Sequence, residues 1–486
     1  MRKELVFILI VCILSRLPQL LSPNLLLDGD EAIVGLMAKH FSEGKELPFY
    51  FYGQSYGFSF LEVLPISLVF LLFGVSAMAV KLTMLLLFSG GVCLFYATLK
   101  HFPSRNKWIP LLVTLLLTTT PAWAVWSMKA RGGYISAFFL FPLFTYLLFS
   151  KRSETSLLYH TFFGLTLATI FECQALWLPG MLVFTTFRLF QLRSVKLLVA
   201  QLFGGAMGFG MFGLLKVLDT TRVDSFVPSI FSMPENLTEK LMALPKYLQI
   251  HFSGSYYLGD AIEPSFFTSI LAWILVAGLL VSTLILFFQI TRKTWNNQLL
   301  FVSVVPVLIA AAVSIYTADF HARYLLPISG YFFLMLALLL SNFEKLKVVN
   351  AMLVILIVAN CYALISFKDY RFENGSTIHL NRAIRQLESN NVKYVFSQGA
   401  LLQWQLMFYS NERLIARYYG NSDRYYPYID AVNNGLRTEP DKVGLIGTCN
   451  QAIPMHDPSI WTFGSEYFTL VAPAKSKLEE RGFRFD

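Results

Sequence analysis

Long apolar segments recur along this sequence as far as residue 367, and they limit what the chain can fold into. Of its 486 residues, 55% are hydrophobic and 14% are charged, whereas a soluble domain has about 25% charged residues. Runs of about 20 apolar residues match the hydrocarbon thickness of a bilayer. The sequence therefore predicts a mainly α-helical polytopic membrane protein.

The apolar runs differ in length, and several are short for a hydrocarbon layer of about 30 Å. Their approximate limits are 5–21, 58–73, 80–99, 109–125, 134–149, 157–170, 176–187, 197–218, 266–290, 299–316, 324–340 and 348–367. The first run begins beside Arg2 and Lys3 like a signal peptide. It lacks a small-x-small cleavage site and contains Arg16, so we interpret it as an uncleaved first helix.

The run at 58–73 decides the predicted topology. If it does not cross, the basic loops fall on the same side as Arg2 and Lys3, as the positive-inside rule requires; these loops are "KHFPSRNKW", "SKRSETS", "FRLFQLRSVK", "TRKTWNNQ" and "NFEKLK". We therefore predict about eleven spanning helices and a first outer loop at 23–79 with a non-spanning, juxtamembrane helical segment. An ordinary spanning helix at 58–73 is the alternative.

The sequence after residue 367 has a different character. "IHLNRAIRQLESNN" and "ALLQWQLMFYS" predict helices, whereas "VKYVFSQ" and "DKVGLIGTC" predict buried strands. We therefore divide the chain into a transmembrane domain at 1–367 and a small α/β domain at 368–486 on the non-cytoplasmic side. The tail has no phosphate loop, GxSxG motif or clustered metal ligands. We expect it to be a lid or an acceptor-docking module without chemistry of its own.

Charge and cysteine usage exclude two further classes of function. The net charge is +9, but most of the cations lie in short loops between apolar runs, so we expect no nucleic-acid partner. The five cysteines form no CxxC pair, so we expect neither a disulfide framework nor a zinc site.

Three acids follow the first apolar run, in "SPNLLLDGDEAIVGLMAKHF". An Asp at the centre of a membrane helix costs about 2.5–3.5 kcal/mol, so acids beside hydrocarbon need an explanation. Asp28 and Glu31 match the N-cap and N3 positions of an amphipathic helix at 29–43, lying along the membrane surface and stopped by Gly44. Capping does not need Asp30. Its carboxylate suits a general base or a ligand of a divalent ion.

Three segments carry a family resemblance. A membrane helix followed by Asp-Glu, a surface helix and "GKELPFYFYGQSYGFSFLEVLPISLVFLLFG" resembles the GT-C fold glycosyltransferases. Within that family it is similar to bacterial relatives of the protein O-mannosyltransferases and of the lipid A aminoarabinose transferase. "HARYLLPI" resembles the family's later Arg-Tyr motif, and "FECQALWLPG" resembles a recurring mid-chain pattern. The best-matching part covers about 16–81.

The resemblance implies an inverting hexosyl- or pentosyltransferase of the bacterial plasma membrane. It would move a sugar from a polyprenyl-phosphate carrier to a glycan, lipid or protein acceptor on the outer face. Asp30 would be the general base and Glu31 its catalytic neighbour. Two departures prevent a direct transfer of phosphate or metal binding. "GQSYGFSFLE" replaces the Lys- or His-Pro-Pro-Leu segment of the relatives, and "WSMKARGGYIS" lacks their second acid.

A phosphate leaving group needs cations around it. Arg323 is the first candidate, because arginine binds phosphate through a planar fork of donors, and Arg131 and Lys129 come next. The second-rank substrate-binding candidates are Gln54, Tyr56, Glu62, Glu172 and Tyr324. A divalent metal, Mg²⁺ or Mn²⁺, at Asp30 or His321 stays open.

Two other classes of function compete with this interpretation. A flippase or transporter of lipid-linked glycans would favour charged residues near the bilayer midplane and repeated halves, and the sequence shows no such repeat. An outer-face polymerase or ligase would share the topology but would use a lipid diphosphate donor.

Overall fold

The computed structural model describes most of the chain. The described residues are 2–25, 27–54, 56–219, 221, 237–254, 265–291, 302–315, 322–343, 347–366, 377–418, 424–449 and 460–485. The helices up to residue 366 are α1 (Arg2–Leu14), α2 (Leu17–Leu20), α3 (Gly29–Ser42), α4 (Phe60–Phe73), α5 (Ala77–His101), α6 (Ile109–Thr119), α7 (Pro121–Trp126), α8 (Tyr134–Leu148), α9 (Leu157–Gln174), α10 (Leu178–Leu192), α11 (Val195–Leu218), α12 (Leu237–Ser253), α13 (Phe266–Thr291), α14 (Val304–Ile315), α15 (Leu326–Ser341) and α16 (Lys347–Ser366).

The predicted apolar runs correspond to these helices, with breaks where the sequence requires them. The run at 109–125 divides into α6 and α7 because Pro121 disfavours a helical conformation at Thr120, whose ψ is 127°. Helix α12 has no counterpart among the predicted runs. Its mixed sequence lacks a long apolar stretch, so hydropathy alone does not find it.

Within the described parts of the chain, six helical segments are long and apolar enough to cross a membrane. They are Ala77–His101, Leu157–Leu192, Val195–Leu218, Phe266–Phe288, Ala322–Ser341 and Lys347–Ser366. Helix α4 has 14 residues, so it rises about 21 Å, less than the about 30 Å of a hydrocarbon core. Large apolar side chains on α11 and α13 are exposed, for example Val217 and Phe287, as expected of lipid-facing helices. The chain is an integral membrane protein; the number of spans and their orientation stay predictions.

One basic loop contacts two later helices. The backbone N–H of Arg105 donates to the carbonyl of Ser341 at 3.0 Å, and Asn106 donates to Asn350 at 2.9 Å. These contacts join the "KHFPSRNKW" loop to the end of α15 and the start of α16.

The C-terminal α/β unit, at 377–485, contains one five-stranded sheet in the order β2-β1-β3-β5-β4. Its strands are β1 (Tyr394–Ser397), β2 (Ile415–Tyr418), β3 (Val443–Thr448), β4 (Ile460–Phe463) and β5 (Tyr467–Val471), and its helices are α17 (Thr377–Ser389), α18 (Leu402–Tyr409), α19 (Tyr426–Thr438) and α20 (Lys475–Glu480). Strand β1 pairs in parallel with β2 and β3, whereas β5 is antiparallel to β3 and β4. Both predicted helices and both predicted strands are present.

The α/β unit packs directly on α3. A Cβ atom on Gly29 would lie 2.5 Å from Cβ of Leu401, and one on Gly35 would meet the ring of Phe408. Glycine at these positions lets α18 approach the backbone of α3. Helix α3 is consequently buried along most of its length. The sequence predicted the start of α3 and its end at Gly44. It predicted a helix on the membrane surface and did not predict that the α/β unit would pack over it.

A cluster of polar side chains strengthens the contact, and we call it the docking cluster. It consists of Lys39, His40, Glu46, Tyr52, Glu412, Tyr425 and Tyr428. His40 contacts both the first outer loop and the α/β unit. Its Nδ1 lies 2.8 Å from the Tyr52 hydroxyl, and its Nε2 lies 2.8 Å from Oε1 of Glu412. The Tyr428 hydroxyl donates to Glu412 at 2.7 Å. Lys39 also pairs with Glu412, so Glu412 has three polar partners.

Candidate active site

The first turn of α3 is fixed by a reciprocal capping box. The backbone N–H of Glu31 donates to Oδ1 of Asp28 at 3.0 Å, and the backbone N–H of Asp28 donates to Oε2 of Glu31 at 3.0 Å. This is the arrangement predicted from the spacing of the two acids. Asp30, between them, takes no part in the capping box.

Two buried lysines neutralise the capping acids. Lys81, near the start of α5, places Nζ 2.5 Å from Oε1 of Glu31. Nζ of Lys129 lies 2.7 Å from Oδ2 of Asp28 and 3.6 Å from Oε2 of Glu31. Glu31 is 0% exposed. These contacts tie the start of α3 to α5 and to the loop between α7 and α8.

Asp30 shares an arginine partner with Asp28 and is partly exposed. Its Oδ2 lies 3.2 Å from Nη2 of Arg131, and the same Nη2 lies 3.1 Å from Oδ2 of Asp28. The Asp30 side chain keeps 19% of its accessible surface. Nε of Arg131 is buried without a hydrogen-bond partner among the described residues. The Asp28 side chain is equally exposed, so Asp30 differs from Asp28 in standing outside the capping box.

The pKa values of Asp28 and Arg131 reflect this charge arrangement. Burial alone would raise the pKa of Asp28, but the charges of Arg131 and Lys129 outweigh burial and lower it. Burial alone would lower the pKa of Arg131, but Asp28 and Asp30 outweigh burial and raise it. Both groups are thereby held in their charged forms.

The α/β unit contributes a second guanidinium on the other side of Asp30. Nη1 of Arg424 lies 4.0 Å from Oδ1 of Asp30, and its guanidinium carbon lies 5.1 Å from the centre of the Phe51 ring. Gly53 makes this approach possible. Its φ is +69°, and a Cβ atom there would lie 2.8 Å from Cα of Arg424.

Tyr56 connects this region to the predicted phosphate-binding arginine. Burial raises the pKa of its hydroxyl, while the positive charges of Arg424 and Arg323 act against the rise. Arg323 follows in a short 3-10 helix and lies over the ring of Tyr324, 5.3 Å from its centre. Arg131 and Arg424 therefore both approach Asp30, and the charges of Arg424 and Arg323 both act on Tyr56.

The remaining candidates have identifiable contacts elsewhere. Glu62 is 0% exposed and accepts a hydrogen bond from the backbone N–H of Gly133 at 3.0 Å, so it holds the start of α8. Glu172 lies 2.8 Å from Nζ of Lys216 and accepts from the Tyr50 hydroxyl at 3.2 Å. These two acids fasten the first outer loop and its surroundings.

Gln54 and the metal candidates add little to the described site. The backbone N–H of Gln54 donates to Phe51 at 2.9 Å, which closes a turn beside Gly53. His321 lies outside the described residues. Within the described ranges, no three His, Cys, Asp or Glu side chains group to hold a metal ion. Asp28 and Asp30 face the Arg131 guanidinium, which offsets part of their negative charge.

Sequence reasoning missed Lys81 and Arg424. Lys81 had a usable signal, since a lysine at the edge of an apolar run usually has a specific partner. Arg424 had none, because its position depends on the packing of the α/β unit against α3 and the first outer loop.

Comparisons with known proteins identify the fold. No family model matches the chain, and no curated protein matches its sequence. Among solved structures, the chain is similar to ArnT from Cupriavidus metallidurans bound to undecaprenyl phosphate, with 11% identity, a TM-score of 0.47 and coverage of 97% of this chain and 98% of that one. The apo form of the same protein gives a TM-score of 0.42 at 11% identity, with coverage of 96% and 97%.

The assignment of the fold rests on a third solved structure. The chain is similar to the oligosaccharyltransferase AglB from Archaeoglobus fulgidus, in complex with an inhibitory peptide and a dolichol-phosphate. The TM-score is 0.51 and the identity 11%, with coverage of 92% of this chain and 69% of that one. The fold is therefore that of GT-C membrane glycosyltransferases, as the resemblance in sequence implied.

Proposed function

We propose that this protein is an inverting glycosyltransferase that moves a sugar from a polyprenyl-phosphate carrier to an acceptor on the outer face of the membrane. The observation that carries the proposal is the position of Asp30. It is a partly exposed carboxylate at the start of α3, with guanidinium groups of Arg131 and Arg424 on its two sides. A base beside an anion site is what transfer from a phosphate-linked sugar requires.

The proposed reaction is a single displacement. The Asp30 carboxylate takes the proton of the acceptor hydroxyl as its oxygen attacks C1 of the sugar. The bond between C1 and the phosphate oxygen breaks, and the phosphate keeps the electron pair. Inversion at C1 follows from attack opposite the leaving group.

The cations have separate proposed roles. Arg131 and Arg323 bind the leaving phosphate, whose negative charge grows as the bond breaks. Nε of Arg131 supplies a donor that no described residue uses. Lys129 and Lys81 neutralise Asp28 and Glu31, so we propose that these four residues position Asp30. Tyr56 and Tyr324 would line the donor side beside Arg323.

The proposal also covers the location of the protein, its domains and its partners. We place the site in the bacterial plasma membrane, with the α/β domain at 368–486 on the non-cytoplasmic side of the transmembrane domain at 1–367. AglB was solved with a lipid phosphate, which supports this general kind of partner. The sugar would be a hexose or a pentose, and the acceptor a glycan, a lipid or a protein.

One experiment separates the competing functions. Purified protein is incubated with polyprenyl-phosphate sugars, with the corresponding diphosphates and with candidate acceptors, and released lipid phosphate is measured. Release from the monophosphates supports the proposal. Release only from diphosphates would indicate a polymerase or ligase, and movement of intact donor across vesicles without release would indicate a flippase.

The phosphate role of Arg323 has its own test. Arg323→Ala is expected to raise the donor concentration needed for half-maximal rate by about 10-fold or more, because a charge-assisted hydrogen bond is lost. Unchanged donor saturation would exclude this role.

A further inference from the structure

Arg424 brings a positive charge of the α/β unit close to the acid at the centre of the proposed mechanism. Its Nη1 lies 4.0 Å from Oδ1 of Asp30, and its side chain is 31% exposed. A long charged side chain at a domain contact has many solvated alternatives, so its placement here needs a cause.

Two features of the first outer loop hold Arg424 in place. Its guanidinium stacks over Phe51, and its Cα and Cβ each lie 2.8 Å from where a Cβ of Gly53 would be. Any larger residue at Gly53 would push Arg424 away and would also be strained by the φ of +69°. The loop is therefore shaped to receive this arginine.

The docking cluster fixes the chain immediately after Arg424. Tyr425 donates to Glu46, and its ring stacks on Tyr52 with centroids 5.0 Å apart. The hydroxyl oxygen of Tyr428 lies 3.2 Å from Nε2 of His40 in α3. The start of α19 is consequently attached to α3 and to the first outer loop, and the attachment directs Arg424 toward Asp30.

We propose that Arg424 completes the anion site, so that the α/β unit itself binds the phosphate of the lipid-linked donor together with Arg323. The positive charges of Arg424 and Arg323 both act on the Tyr56 hydroxyl, against the rise in its pKa that burial causes. A planar guanidinium binds phosphate through two parallel N–H···O hydrogen bonds. The α/β unit thus contributes to the chemistry, contrary to its expected role as a module without any. This inference rests on the proposed function.

The test measures binding of undecaprenyl phosphate to the purified full-length chain in detergent by microscale thermophoresis. Arg424→Ala is expected to weaken binding by about 10- to 100-fold, and Arg424→Lys by less, since the charge remains. The matched control is Arg413→Ala, which removes an arginine of the same unit that is 62% exposed and paired with Glu388. It should bind as the wild type does.

A second variant and the kinetic constants of the reaction decide whether Arg424 binds the donor. If Arg424→Ala fails to fold, Arg424→Met preserves the aliphatic packing and replaces it in the assay. Wild-type binding by a folded Arg424 variant would overturn the inference, as would a raised KM for the acceptor with an unchanged KM for the donor. Transfer by Asp30→Asn at the wild-type rate would overturn the proposed function instead, and the binding assay would still report on Arg424.

Discussion

Lys81 and Glu31 form an ion pair that is closed to solvent, with Nζ 2.5 Å from Oε1 and side-chain exposures of 2% and 0%. One charge stands at the start of α5 and the other in the first turn of α3. The pair therefore links a membrane helix to the helix that presents Asp30.

The first prediction concerns this pair. Lys81→Met is expected to destabilise the protein by about 3–5 kcal/mol, because it leaves the Glu31 carboxylate buried with one cation fewer. The measurement is the free energy of unfolding in detergent. The double variant Lys81→Met/Glu31→Gln should recover much of the loss, since glutamine preserves the capping box. A double variant that is less stable than Lys81→Met would contradict this account.

The second prediction tests the packing of α18 on α3. Gly35→Ala is expected to cost about 1–3 kcal/mol, because the added methyl group meets the buried ring of Phe408. At a helix position without such a contact, replacing glycine with alanine stabilises the helix by about 1 kcal/mol. Gly210→Ala, in α11, meets nothing within 4 Å and serves as the control. Thermal unfolding should separate the two variants, and equal midpoints would exclude a tight contact at Gly35.

These elements differ in how much the sequence reveals. The capping box was predictable because it joins residues three apart, and the apolar helices were predictable because hydropathy reports on them directly. Strands β1 and β3 were found as buried apolar runs. Strand β2 is the four-residue segment Ile415–Tyr418, which contains the charged Arg417 and is too short to give such a signal.

The candidate site was only partly predictable for a related reason. Asp30 and Arg131 follow from local patterns and from a family resemblance. The burial of Lys39 and His40 instead depends on contacts with Glu412, more than 370 positions away. Such long-range contacts depend on tertiary packing, which leaves no periodicity in the sequence.

The third prediction is a pH optimum for attachment of the α/β unit. Burial alone would lower the pKa of His40, but its bonds with Glu412 and Glu46 outweigh burial and raise it above 6.5. The contribution of His40 to the free energy of unfolding is complete below pH 6.5 and is lost as the pH rises through the raised pKa.

The carboxylate partner sets the acid limit of the same optimum. Burial alone would raise the pKa of Glu412, but bonds from His40 and Lys39 outweigh burial and lower it below 4.5. The contribution of Glu412 to the free energy of unfolding is complete above pH 4.5 and is lost as the pH falls through the lowered pKa. Thermal stability should therefore be greatest between the two limits. His40→Gln should flatten the alkaline side, and an unaltered profile would contradict this role of His40.

The fourth prediction concerns topology. Asn391 is exposed in the turn between α17 and β1, so Asn391→Cys should react with a membrane-impermeant thiol reagent added outside intact cells. Lys107→Cys, in the "KHFPSRNKW" loop, is the control and should react only after the cells are opened. The reverse pattern would mean that 58–73 crosses the membrane.

The most direct measurement is the transfer rate of Asp30→Asn with a donor that the wild type uses. Asparagine keeps the size of the side chain and the capping box is unaffected, so the variant should fold and bind undecaprenyl phosphate. Loss of the base should slow turnover by about 10²- to 10⁴-fold. A folded Asp30→Asn protein that transfers sugar at the wild-type rate would contradict the account.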